Sequence, residues 1–254
     1  KNNSLVFNAI GGKGTPTELT ITSNKQKYIN GKAMGSPVKV DYSRPSLPSW
    51  LSVESGYYEA LENKSESSRS YTDTLTQAES GKKLTPVLSQ AAGVKTYGDI
   101  TVTPTGDVPD IPASGGASRT FPYTWTQPWG WNGKTNDGGT ISSGASVVWS
   151  ENISGSNLGT TAKARTKLGS RTLTVTLNGK SGSASIDVYQ AENRITNVTQ
   201  GAWVVSISAN PSTFTEQGGT SQISTSARAS RTNHWSSGAT SAVSDATGTP
   251  TLSI

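Results

Sequence analysis

One histidine, His234, is the whole imidazole inventory of the chain, and there is no cysteine. A zinc site needs three or four nitrogen, thiolate or carboxylate ligands at close spacing, and neither a second imidazole nor a thiolate is on offer. A Ser-His-Asp arrangement could draw only on His234, set in Thr232-Asn233-His234-Trp235 within a turn-rich stretch, and no G-x-S-x-G marks a strand-to-helix elbow. That histidine reads as polar surface. Two carboxylate pairs, Asp107 with Asp110 and Glu59 with Glu62, have the residue types for acid and base work on a glycosidic bond. Asp107-Val108-Pro109-Asp110 reads instead as the cap of an interdomain turn, and Glu59 and Glu62 as part of a charged, solvated segment running to Arg69. A calcium ion near residues 93–111 would need a ligand pattern that the sequence does not carry. No catalytic residue, metal or cofactor is therefore expected, and the chain reads as a non-enzyme.

The chemistry that remains is recognition. Phe121-Pro-Tyr-Thr-Trp-Thr-Gln-Pro-Trp-Gly-Trp131 holds three of the seven tryptophans. Phe121, Tyr123 and Trp125 alternate and so share one strand face, which assigns them to a core. Trp129 and Trp131 follow Pro128 and flank Gly130 in a turn-rich part. There they have two readings: an exposed pair that stacks on sugar rings or wedges into a partner protein, or a local mini-core folded back over the end of the domain. Trp235 occupies a similar place further on, and Tyr28 lies at the corresponding point of the first hundred residues. Trp129, Trp131 and Trp235 are thus the candidate ligand platform. An aromatic at this place is also compatible with a habit of the scaffold. The sequons at Asn63, Asn152 and Asn197 are of a kind that a Ser/Thr-rich chain produces by chance.

The elements that must position these residues are strands. Hydrophobic residues make up 31% of the 254 residues with a single Met, while Thr, Ser and Gly abound, a composition for short strands and turns. The clearest of them lie in 170–193. Leu173, Val175 and Leu177 alternate with threonines, Ala184, Ile186 and Val188 alternate with polar residues, and Asn178-Gly179 and Ser181-Gly182 lie between: a hairpin. It closes on Gln190-Ala191. A comparable segment from Ser70 closes on Gln90-Ala91, although Asp73 interrupts its apolar alternation and Pro86, lacking an N–H, demands an edge or a bulge.

Gly-Gly pairs begin at 11, 115 and 218, and the Gln-Ala closures stand at 90 and 190, so two landmarks give one period of about a hundred residues. Each Gly-Gly reads as a bend where an edge strand changes sheets, because glycine takes positive φ without a Cβ penalty. Further strands are expected at 18–22, Val38 to Tyr42, Trp50 to Val53 and Ala145 to Trp149. About seven strands per repeat suit two packed sheets. The expected architecture is all-β, tandem immunoglobulin-like β-sandwiches over 1–93, 94–193 and 194–254. The third is incomplete: the spacing of the other two places its closing hairpin beyond Ile254.

Net charge is +5, divided +3, +1 and +1 over the three repeats, with no basic block of the kind a phosphate-tracking surface uses, so nucleic acid is not an expected partner. No apolar run reaches 18 residues, which excludes a membrane-spanning helix, and the chain begins at Lys1 with no signal-like apolar core, as a processed or internal fragment would.

The Gly-Gly after the first strand, the strand Trp50-Leu51-Ser52-Val53 and the closures Gln90-Ala91 and Gln190-Ala191 together resemble tandem bacterial Ig-like domains, in particular the BACON-type domains of Bacteroidota. The resemblance implies a surface protein that handles glycans, or a virion protein of the tailed, crAss-like phages that infect these bacteria. It implies a structural and adhesive role as a head-decoration, fibre or tail-associated component, at the virion surface or the cell surface. Its partners would be other virion or cell-surface proteins, glycans, or further copies of itself. A cell-surface glycan-binding protein and an accessory segment of a secreted glycoside hydrolase are the alternatives.

Overall fold

The computed structural model describes residues 4–14, 23–54, 57–150, 153–210, 212–213 and 215–251. The strand expected at 18–22, Phe214 and the Asn152 sequon lie outside them. Over the described residues the protein is all-β, with 24 strands in several small sheets and no helix, hence none long and apolar enough to cross a membrane. Two compact units form, Lys1–Asp99 with Thr126–Ser143, and Ile100–Trp125 with Gly144–Ile254.

In the first unit Leu5, Phe7, Leu51, Tyr58, Ala60 and Leu88 make the core. Ser4–Phe7 runs parallel to Val87–Gln90, which is antiparallel to Arg69–Thr72. Gly11 and Gly12, at φ 91° and 81°, then carry the chain into a different sheet, where Gly12–Lys13 pairs with Tyr57–Ala60. A Cβ on Gly11 would lie 2.4 Å from the Ala60 carbonyl oxygen, so both its angle and its surroundings demand glycine. The expected strand at Trp50 is Leu51–Glu54. The one expected from Val38 to Tyr42 is divided between Lys32–Lys39 and Tyr42–Ser43, with Val40 turned into the interior.

The second unit repeats the scheme. Ile111 makes a parallel bridge to Gln190, Gly115 and Gly116 follow at φ 89° and 123°, and Gly116–Ala117 pairs with Ser154–Gly155. The core joins Ile100, Val108, Ile111 and Phe121 to Leu173, Val175 and Val188 of the closing hairpin, with Tyr123, Trp125 and Trp149 packed against it. Phe121, Tyr123 and Trp125 are therefore core-facing, as their alternation requires. The hairpin pairs Thr166–Leu177 with Lys180–Gln190 around Asn178-Gly179. Both turn residues are left-handed, at φ 50° and 72°, as a type I′ turn needs. Ser181 and Gly182, which the sequence placed between the strands, already belong to the second strand.

From Ile195 onward a single sheet forms. Gln222–Trp235 pairs with Ile195–Gln200 and Val204–Asn210 on one side and with Thr240–Gly248 on the other. The same arrangement, shorter, joins Tyr123–Trp131 to Lys95–Tyr97, Thr101–Pro104 and Gly139–Ile141. The first glycine of all three pairs closes a turn onto the carbonyl three residues back, but Gly219 opens no strand where Gly12 and Gly116 each open one.

Candidate functional site

Of the two readings of Trp129 and Trp131, the exposed pair is not formed. The strand Tyr123–Trp131 continues through Pro128, whose carbonyl accepts from the Gly98 N–H at 2.8 Å, so Trp129 and Trp131 stand on a strand and not in a turn. Trp131 is 9% exposed, and its ring abuts Gly93, where a Cβ would meet it at 3.1 Å. Gly138 lies so close against the face of half-buried Trp129 that any Cβ there would clash. The two rings meet edge to face, with centroids 5.7 Å apart at 69°, and the Lys95 ammonium sits 5.7 and 5.9 Å from them. That is a local mini-core, the second of the two readings above, and it offers no flat face of paired rings. Trp235 belongs to the other unit, where it pairs with Ile195 as Trp131 pairs with Lys95, and its indole N–H donates to Ser241 Oγ at 2.9 Å. The recurrence reflects one scaffold position.

Around Trp131 the segment expected to be solvated is a seat. Asn132 Nδ2 donates to Glu62 Oε1 at 3.0 Å and to the Asn63 carbonyl at 3.2 Å; Lys134 pairs with Glu62 at 2.8 Å and Lys64 with Asp137 at 2.7 Å. Asp137 Oδ1 also accepts from the Trp131 N–H at 2.9 Å. Lys134 and Asn132 hold the Glu62 carboxyl below its usual range, and Lys64 with the Trp131 amide does the same for Asp137. Arg69 is not solvated either: it lies over the Trp50 ring at 4.7 Å and donates to Gln90 Oε1 at 2.8 Å. The second seat is built alike. Asn193 Nδ2 donates to the carbonyls of Gly159 and Thr161, and its Oδ1 accepts from Ser237 N at 3.0 Å.

Of the carboxylates weighed for acid and base work, Glu62 belongs to the seat and Asp110 to an ion pair. Asp110, expected as a turn cap, forms a two-pronged pair with Arg165 at 2.5 and 2.8 Å, and that guanidinium, which lies 3.7 Å over Tyr189, holds the acid below its usual range. His234 sits in the strand Gln222–Trp235 and not in a turn; its Nε2 lies 2.9 Å from Thr199 Oγ1.

Sequence reasoning missed the burial of three polar residues, Asp73, Gln90 and Gln190. Asp73, which interrupts the first closing hairpin, is fully buried, accepts from the Tyr58 hydroxyl at 2.6 Å and has Arg44 at 3.7 Å. Burial first, then the Asp73 carboxylate, push the Tyr58 phenol far up. Gln90 and Gln190, noted only as landmarks, are buried plugs. Gln90 Nε2 donates to the carbonyls of Asn8 and Leu61, and Gln190 Nε2 to those of Pro112 and Ser156. The alanine N–H after each donates to the first strand, Ala91 to Phe7 and Ala191 to Ile111. The signal for both plugs was the repeated Gln-Ala itself.

Among the described residues no group of three His, Cys, Asp or Glu side chains is placed to hold a metal ion. The chain matches no known protein family and no curated protein. Among solved structures it has a likeness to an endo-fucoidan hydrolase from glycoside hydrolase family 107, at 12% identity and a TM-score of 0.15, over 83% of this chain and 38% of that one. A likeness of that size assigns neither fold nor activity.

Proposed function

We propose that the protein is a non-enzymatic structural and adhesive component made of tandem Ig-like, BACON-type domains over 1–93, 94–193 and 194–254. The observation that carries this reading is the repeated closure: a parallel first strand, a Gly-Gly change of sheet and a buried glutamine plug, built twice from the same backbone partners. Serial modules joined by hydrogen-bonded seats suit a spacer that bears load or displays a surface. The virion surface, with other virion proteins as partners, is the setting that the sequence resemblance favours; the cell surface is the runner-up. Peptide mapping of purified tailed-phage particles is the test. Stoichiometric recovery from particles is the expected outcome, and recovery only from a soluble enzymatic fraction would overturn the reading.

A further inference from the structure

The first unit contains a cleft of about 510 Å³ between the strand Asn24–Ile29 and the hairpin made by Leu75–Gln77 and Lys83–Leu84, with Tyr42 in its lining. Its walls are tied together. Gln77 Nε2 donates to Ser23 Oγ at 3.0 Å, and Lys25 pairs with Glu79 at 2.8 Å. The hairpin turn is itself closed by Gln77 N to Lys82 O and Gly81 N to Gln77 O, both 2.9 Å. Such a cleft exists before any ligand arrives, so little ordering cost attends binding.

Its lining joins two chemistries. Tyr28 and Tyr42 are 62% and 38% exposed, an amphipathic ring surface that a core would have buried. Lys82 and Lys83 are exposed, and neither has an ion-pair partner among the described residues. Lys25 joins Lys82 and Lys83 in the lining, and Lys27, Lys32 and Lys39 stand along the same strand pair. The fold thus brings Lys82 and Lys83 to the same cleft as Lys25, far from them in the chain.

We propose that this cleft binds an acidic oligosaccharide, with the faces of Tyr28 and Tyr42 against the C–H faces of its rings and Lys82 and Lys83 paired with its carboxylate or sulfate groups. A volume of this size takes a ligand of a few rings. The lining cations are lysines, point charges without the flat two-pronged fork that favours phosphodiesters, and Arg44 behind Tyr42 is already turned to Asp73. The inference rests on the adhesive reading and adds its ligand.

The test is calorimetric titration of the full chain with a polyuronate hexasaccharide, a sulfated hexasaccharide, a neutral glucose hexasaccharide and a single-stranded DNA hexamer. At least one of the two acidic sugars should bind, more weakly as salt rises, and the pair together tells carboxylate from sulfate recognition. Lys82→Ala with Lys83→Ala should weaken binding by about tenfold, and Tyr28→Ala by about fivefold with the salt dependence retained. All three positions are exposed, so the variants should melt with the parent. Equal binding of the neutral sugar, equal or tighter binding of the DNA, or acidic-sugar binding indifferent to the lysine pair would overturn the proposal, as would no binding of either acidic sugar. Particle incorporation reads the adhesive role separately: a protein present on particles that binds neither acidic sugar loses only the ligand, whereas a protein absent from particles loses the adhesive role whatever the cleft binds.

Discussion

The two closing hairpins occupy the same place in their repeats and end on the same glutamine, yet one is a single ribbon and the other is broken in two. From Thr166 to Gln190 the ladder is continuous apart from one bulge between Lys167 and Gly169. From Arg69 to Gln90 it divides: Arg69–Thr72 pairs with Val87–Gln90, while Leu75–Gln77 pairs with Lys83–Leu84 in a separate sheet with Tyr42–Ser43. The break falls at Asp73 and Pro86. Pro86 has no N–H to give to a ladder, and its carbonyl accepts instead from the Asp73 N–H at 3.0 Å. The Asp73 side chain turns inward to Tyr58. The difference teaches that the closing function resides in the last four residues, Val87–Gln90 or their counterparts, and that the rest of the hairpin is free to serve another purpose. In the first unit that freedom produces the hairpin walling the basic cleft.

The comparison breaks or sharpens under substitution. Leu88 and Leu173 are both fully buried, one in each hairpin. Leu88→Ala and Leu173→Ala should each cost about 2–5 kcal/mol in urea unfolding. A loss confined to one would show that the two closures do not bear equal weight. Next in size, Gln90→Ala and Gln190→Ala each empty a buried side-chain position and remove its bonds to two backbone carbonyls, and should cost about 1–3 kcal/mol. Gln90 should be the costlier, because its loss also removes the acceptor of the Arg69 Nε–H. Equal costs would mean that Arg69 finds water without penalty.

Asp73→Ala tests the break directly. It leaves the buried Tyr58 hydroxyl without its acceptor, at about 1–3 kcal/mol, and removes one cause of the upward shift of that phenol. Ultraviolet titration should therefore find Tyr58 ionising at lower pH than in the parent, though still above an ordinary tyrosine because burial persists. No movement would separate Asp73 from the phenol.

Acid should act on the seat and on the Asp110 pair in the same sense. Glu62, Asp137 and Asp110 all have folded values below their ordinary 4.5, 3.8 and 3.8, so their contribution is complete above those values and is lost as pH falls through the lowered ones. Melting temperature should fall on acidification below about pH 4.5, and Lys134→Met should flatten that fall in the first unit only. A profile unchanged by Lys134→Met would remove the lysine from the seat's pH response. Smallest of all, Thr172→Ala, which removes the hydroxyl contact with Ser185 across the continuous hairpin, should cost about 0.2–1 kcal/mol.

What could be read from the sequence was what neighbours along the chain decide. Alternation with period two and the left-handed tolerance of Asn and Gly located the hairpin at Asn178-Gly179, and the recurring Gly-Gly located the changes of sheet at Gly11 and Gly115, because these preferences act within a few residues. The third pair, at Gly218, shows the limit: the same dipeptide makes the same turn, but Gly219 leads into no second sheet. Tertiary structure alone decided that Trp131 is buried, that Asp73 is a core acid, that Glu62 belongs to a seat and that Lys82 and Lys83 share a cleft with Lys25. Each of those outcomes depends on contacts between residues far apart in the chain, such as Gln90 with Asn8 at a separation of 82 or Lys134 with Glu62 at 72. Local propensity has no information on such contacts; burial and pairing across the fold create them.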